Sequence, residues 1–169
     1  MKILFVSPTW TEGFGIFSGI AKKRNSQPPL GILYLAAVAE KRGHSVRIID
    51  ADVEGYSMES LVYDITRSDF DILGITATSP IFHKAVALAS RMKSIGFKQP
   101  IVIGGEHINI FKKEAFYDCF DYGFFGESDF TFNQFLGIME NNSKNYENMS
   151  GFIYRNDNQV IAIEPAGRI

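Results

Sequence analysis

Short apolar runs alternate with segments of helical period along most of this chain, and no other feature restricts its fold so much. The runs "ILFV" at 3–6, "DILGIT" at 71–76 and "IVIGG" at 101–105 lack the polar alternation of a half-exposed strand. They read as strands buried on both faces, as in a parallel sheet with helices on each side. Between them, "LGILYLAAVAEKRG" opens at Pro29 and stops at Gly43, with Lys41 and Arg42 in its last turn. Leu30, Leu33, Tyr34, Ala37 and Val38 follow the helical period there. "HSVRIID" is a second strand ending at Asp50, and Ser57 caps a helix through about Arg67, with Glu59 in its first turn.

The same reading continues to the end of the chain. "FDILGITA" is strand three, and "SPIFHKAVALASRMKSIG" is a helix with Ser79 as N-cap, Pro80 at the first position and Gly96 at the stop. "PIVIGG" is strand four and "IFKKEAFYDCF" a short helix; "FDYGFFGE" holds strand five, and Ser128 or Asp129 starts "FTFNQFLGIMEN". "NSKNYENMSG" is a polar linker, and "GFIYRNDNQVIAIEP" is a hairpin turning at Asn156-Asp157-Asn158. The expected architecture is α/β: a flavodoxin-like (Rossmann-like), doubly wound, five-stranded parallel sheet of order 2-1-3-4-5 with a C-terminal β-hairpin extension. Residues 1–140 form the α/β domain, and 141–169 the linker and hairpin.

Composition removes several function classes. The net charge is -2 and no basic stripe is present, which argues against nucleic-acid binding. Lys22-Lys23-Arg24 reads as a solvated loop. The single cysteine, Cys119, cannot pair internally or hold a zinc ion or iron–sulfur cluster alone, and this usage fits a cytoplasmic protein. No run has the length of a membrane span, and "MKILFVSP" is a first strand rather than a signal peptide.

In such sheets ligands sit beyond the carboxyl ends of the strands. That rim gathers Ser7 to Thr9, Asp50 and Asp52, Thr76 to Ser79, Gly104 to His107, and Gly126 to Asp129. The loop after strand one, "TWTEGFGIFSGIAKKRNSQPP", carries Trp10, Phe14, Ile16, Phe17 and Ile20, which suit a lid or wall over an apolar ligand. It has neither the dinucleotide fingerprint nor a P-loop, and strand three ends without the aspartate of a phosphoacceptor domain. Thr76, Thr78 and Ser79 offer hydroxyls to a polar ligand tail, or caps to a helix. Gly104-Gly105 allows a flat approach, or a tight turn. Glu127 and Asp129 meet a ligand, or sit at a helix N-terminus. Glu106 and His107 have no adjacent nucleophile, so they are wall residues, and no residue is assigned to catalysis. His44 and His83 are structural or solvated.

Taken in order, "PPLGILYLAAVAEKRGHSVRIID", "DILGITATSP", "IVIGGEH", "FDYGFFGESD" and "GFIYRNDNQVIAIEP" resemble the N-terminal cobalamin-binding domain of class B radical S-adenosylmethionine methyltransferases. The Pro-Pro-Leu-Gly helix start and the Gly-Glu after strand five carry most of the likeness, which covers nearly the whole chain. The resemblance implies cobalamin (as methylcobalamin) held base-off, its nucleotide tail in the rim. Thr76, Thr78 and Ser79 would lie against it, Gly104 and Gly105 would make room for its dimethylbenzimidazole, Gly126 and Glu127 would line the same side, and the loop through Trp10 and Phe14 to Phe17 would face the corrin; Ser7, Thr9, Glu106 and His107 are further cofactor-binding candidates on this rim. The D-x-H-x-x-G that supplies a cobalt-ligating histidine in methionine-synthase-type domains is absent, as is common in the radical family, so no residue is named as a metal ligand. S-adenosylmethionine and a [4Fe-4S] cluster belong to a radical domain that would follow near Arg168. This chain alone is then not catalytic; its parent would methylate an unactivated carbon of a small molecule that this chain does not identify, or act as the anaerobic oxidative cyclase of tetrapyrrole synthesis does. The alternatives are a cofactor-free interaction module and, last, a flavodoxin-like FMN or nucleotide binder.

Overall fold

The computed structural model describes residues 1–9, 29–157 and 159–164. Strands β1 (Lys2–Ser7), β2 (Ser45–Asp50), β3 (Ile72–Thr76), β4 (Ile101–Gly104) and β5 (Tyr122–Phe124) run parallel in the order β2-β1-β3-β4-β5. This is the doubly wound, flavodoxin-like arrangement expected. Two further strands, β6 (Phe152–Asn156) and β7 (Gln159–Ile163), extend the same sheet antiparallel beyond β5, and the Asn156–Gln159 pair closes their hairpin.

Side chains of a strand alternate between the two faces of its sheet, so each strand supplies two cores. Leu4, Val6, Leu73, Ile75, Ile101 and Ile103 pack in one core with Leu61 and Ile65 of α3 (Met58–Arg67) and Leu88 and Met92 of α4 (Phe82–Ser94). Ile3, Phe5, Ile72 and Val102 pack in the other with Ile32 and Ala36 of α1 (Leu30–Lys41) and Phe132 and Phe135 of α6 (Asp129–Glu140). The short helices α2 (Ala51–Glu54) and α5 (Glu106–Phe111) sit just beyond β2 and β4. Asp50 caps α2 by accepting from the amides of Asp52 and Val53, and Ser57 caps α3 in a reciprocal pair with Ser60. Buried His44 stands 2.9 Å from Glu140 of α6, a structural role.

Four local expectations change. The buried face of α1 is Ile32, Ala36 and Ala39, while Leu30 and Tyr34 are 63% and 70% exposed. The helix is apolar almost all round, so its period does not single out one face; the small Ala36 and Ala39 turn toward the crowded aromatics of α6. Ser79 caps nothing: it opens a turn of 3-10 helix (Ser79–Ile81) ahead of α4 and makes no capping hydrogen bond. Helix α5 starts at Glu106, four residues earlier than expected, and gives way to 3-10 helix at Lys112–Ala115. The polar segment after α6 also contributes to the core, because Tyr146 and Met149 are buried against Phe152 and its neighbours.

The ends of β5, β6 and β7 meet at Gly151. Its amide donates to the carbonyl of Ile163 and its carbonyl accepts from Phe125. Its φ is +78°, and a Cβ would lie 2.4 Å from the carbonyl oxygen of Phe125. Gly151→Ala therefore lowers unfolding free energy by about 1–3 kcal/mol through backbone strain and this collision. Urea unfolding measures it; a loss below about 0.5 kcal/mol, within the range of an ordinary surface substitution, would contradict the assignment.

Candidate functional site

A cleft of about 1220 Å³ opens at the carboxyl ends of β1, β3, β4 and β5. It exceeds the roughly 300–1,000 Å³ of pockets for drug-sized ligands. Strand register builds its floor. Phe5 lies opposite Gly74, and Gly74 opposite Val102, so these form one row on the α1/α6 face of the sheet. Two residues further along each strand, Ser7, Thr76 and Gly104 point to the same side, with Thr76 opposite Gly104. The inner row is apolar and the outer row is hydroxyl-bearing or bare. Phe124 and Phe132 complete the apolar wall, and the exposed Leu30 and Tyr34 of α1 stand at the cleft as well.

The glycines here differ in purpose. A Cβ on Gly74 would lie 2.5 Å from the ring of Phe5, so Gly74 makes room for that ring. Gly105 has φ +102°, and a Cβ there would meet the Ala77 carbonyl at 2.6 Å. Its absent side chain lets the chain turn from β4 into α5 past the end of β3. Gly104 is different: a Cβ on it would find only Phe124 atoms, at 3.8 and 4.0 Å, an ordinary contact. Only Gly104 of the pair is bare without the chain itself requiring it. Gly126, at φ +73°, has nothing near its missing Cβ, and its amide donates to Asn109 Oδ1 at 2.9 Å.

Of the residues singled out in the sequence, Ser7, Thr76, Thr78, Gly104, Gly105, Glu106, Gly126 and Glu127 line the cleft, joined by Asp50, Asp52 and Asp129. Thr9, Ser79 and His107 are not in its lining. Buried Thr9 accepts from Lys84 Nζ at 3.5 Å. His107 shares a 3.0 Å hydrogen bond with Ser79 Oγ, stacks on Phe82 with ring centroids 3.9 Å apart, and touches Phe111 at 4.5 Å. It is a packing residue that ties α5 to the turn after β3. Sequence reasoning missed Phe5, Gly74, Val102 and Asn109; the first three could have been read from period-2 alternation once the rim was chosen. The lid residues Trp10, Phe14, Ile16, Phe17 and Ile20 lie outside the described residues.

Among the described residues no cluster of histidine, cysteine, aspartate or glutamate could hold a metal ion, and no histidine lines the cleft. Cys119 is buried beside Ser90, and burial pushes its thiol pKa up, away from reactivity. None of the described helices is long and apolar enough to cross a membrane.

An open parallel sheet with a large, apolar-floored cleft at its strand ends defines a ligand-binding α/β domain. The chain belongs to the B12 binding domain family, whose model matches residues 19–136. It is 28% identical over 162 residues to an uncharacterized methyltransferase of Pyrococcus horikoshii, covering 95% of this chain and 34% of that protein. The structure is similar to the radical S-adenosylmethionine methyltransferase TsrM of Kitasatospora setae with cobalamin and a [4Fe-4S] cluster bound, at TM-score 0.78 and 13% identity over 98% of this chain and 29% of that one. It is also similar to the cobalamin-dependent S-adenosylmethionine radical enzyme OxsB with aqua-cobalamin and S-adenosylmethionine bound, at TM-score 0.75 and 18% identity over 98% and 22%. The chain spans about a third or less of the length of the curated relatives it matches.

Burial under Phe82 and Phe111 lowers the pKa of His107 below the ordinary value of about 6.5. A depressed folded pKa means that the stability His107 contributes is full above the unfolded value and is lost as pH falls through the folded one. Proton NMR titration should give His107 a midpoint below that of a free histidine. Between pH 7 and pH 5, the melting temperature should fall more in the wild type than in His107→Gln; equal falls would show that His107 is not held neutral.

Proposed function

We propose that this chain holds cobalamin by laying the nucleotide tail, base-off, along the two rows that face α1 and α6. The observation that carries the reading is the bare position at Gly104, set between an apolar inner row (Phe5, Gly74, Val102) and the hydroxyls of Ser7 and Thr76. A flat aromatic base suits the inner row, which offers no polar partner and excludes water. Sugar and phosphate oxygens suit the outer hydroxyls of Ser7, Thr76 and Thr78, which can each donate one hydrogen bond. Gly126, held by Asn109, and Glu127 border the same space. The apolar side chains of Leu30 and Tyr34 offer contact to the face of a larger ring.

Bound cobalamin supplies a cobalt centre that can carry and hand over a methyl group. The part played by this chain is to bind and orient the corrinoid and to keep its tail away from the metal. Reaction chemistry would belong to a radical S-adenosylmethionine domain, with its own cluster, continuing beyond the β6–β7 hairpin. Family membership and the likeness to TsrM and OxsB support that parentage, with transfer of a methyl group to a small molecule as its reaction.

Mixing the chain with hydroxocobalamin, removing free ligand and recording the visible spectrum tests the reading. Retained corrin absorbance in the base-off form is expected. Gly104→Leu should weaken retention more than tenfold, about 1.4 kcal/mol or more, with little change in melting temperature, since its Cβ meets only ordinary contacts. Gly105→Ala, by contrast, should lower the melting temperature itself. No retention by the wild type, or full retention by a folded Gly104→Leu, would sink the assignment.

A further inference from the structure

Among the described residues, the charged lining of the cleft is all carboxylate. It holds the carboxylates of Asp50, Asp52, Glu106, Glu127 and Asp129, and among its described residues no lysine, arginine or histidine. Topology puts them there: Asp50 and Asp52 come at the end of β2, Glu106 after β4, and Glu127 and Asp129 after β5. They therefore flank the apolar floor on both sides. Glu106, Glu127 and Asp129 are all exposed. Asp129 already occupies the first turn of α6, so that helix end is supplied with a negative charge by the chain itself.

A carboxylate only accepts hydrogen bonds. It rewards a ligand periphery of N–H donors and repels one of carboxylates or phosphates. The corrin ring of cobalamin carries primary carboxamides around its rim, each an N–H donor, and hydrogen bonds to a charged acceptor are the stronger kind. Hydrolysing one carboxamide replaces a donor with a like charge. Resting on the cobalamin reading above, we infer that Glu106, Glu127 and Asp129 make the cleft selective for corrinoids whose peripheral carboxamides are intact, against corrinoids that bear a free carboxylate there. The same lining disfavours a flavin or other mononucleotide whose terminal phosphate carries two charges. Because these side chains are exposed, their effect is screened by salt.

Equilibrium dialysis of the chain with aquacobalamin, and with the same molecule carrying one carboxamide hydrolysed to carboxylate, compares two ligands with an identical tail. At pH 7 and low ionic strength, aquacobalamin should bind about tenfold more tightly. The ratio should shrink to below about threefold in 0.5 M salt, where the screening length is only a few ångströms. It should shrink likewise at low salt in the double variant Glu106→Gln, Glu127→Gln, read with near-ultraviolet dichroism to show that the variant is folded. Equal affinities at low salt, or a preference that neither salt nor the substitutions reduce, would overturn the selectivity while leaving cobalamin binding in place. Retention of neither corrinoid would instead remove the functional reading and this inference together.

Discussion

Burial of the central parallel strands β1, β3 and β4 on both faces is the constraint from which the rest of this molecule follows. From Ile3 to Val6, Ile72 to Ile75 and Ile101 to Ile103, every position is apolar or glycine and almost fully buried. A polar side chain inside such a strand would need a hydrogen-bond partner in a core that offers none. Ser7, Asp50 and Thr76 appear only where their strands end, and the register lines these ends up beside one another. The cleft is thus a by-product of how the sheet is buried: apolar a row below the rim, polar at it, and open above.

Glycine shows how one residue type serves three different needs within a few ångströms. At Gly74 the missing side chain receives the ring of Phe5. At Gly105 it lets the chain adopt φ +102° against Ala77. At Gly104 it leaves space that the protein itself does not fill. Only the last has no account within the chain, and the proposed seat of the nucleotide tail rests on it. His107 teaches the converse. A histidine next to a glycine pair at a strand end invites a catalytic reading, yet its ring is packed between Phe82 and Phe111 and its hydrogen bond goes to Ser79. It braces the short helix α5, whose Asn109 in turn holds Gly126.

The likeness to TsrM and OxsB, at 13% and 18% identity, speaks to the fold. The family is carried by the match over residues 19–136. What the cleft does with a ligand has to come from its own residues: an apolar row, a hydroxyl row, and a border of carboxylates without a cation among the described residues. The proposed preference for a large, flat, amide-rimmed ligand over a small anionic one rests on that pattern.

Much of this was legible beforehand, and the reasons are local. Strand and helix periods, and stop signals such as Gly43 and Gly96, both at positive φ, depend on neighbours within a turn or two. They led to the succession of strands and helices and to the strand ends where the cleft opens, and eight of the eleven residues named for the site line that cleft. Other features could not be read that way. The face that α1 buries depends on Phe132 and Phe135, a hundred residues away, which small Ala36 and Ala39 can approach and Leu30 and Tyr34 cannot. Ser79 lost its expected cap to a hydrogen bond with His107, 28 residues along the chain.

By itself the sequence determined the alternation of strands and helices and which residues end each strand, because periodicity and turn chemistry act over short stretches of chain; the sheet order was an expectation from the α/β class that alternation defines. Tertiary structure alone decided that Gly104 rather than Gly105 is the open position, that His107 braces instead of lining the cleft, and that five carboxylates share one space. Those outcomes depend on which atoms of β1, β3, β5 and α6 come within contact distance of β4 and its turn, and distance in space is not written in spacing along the chain.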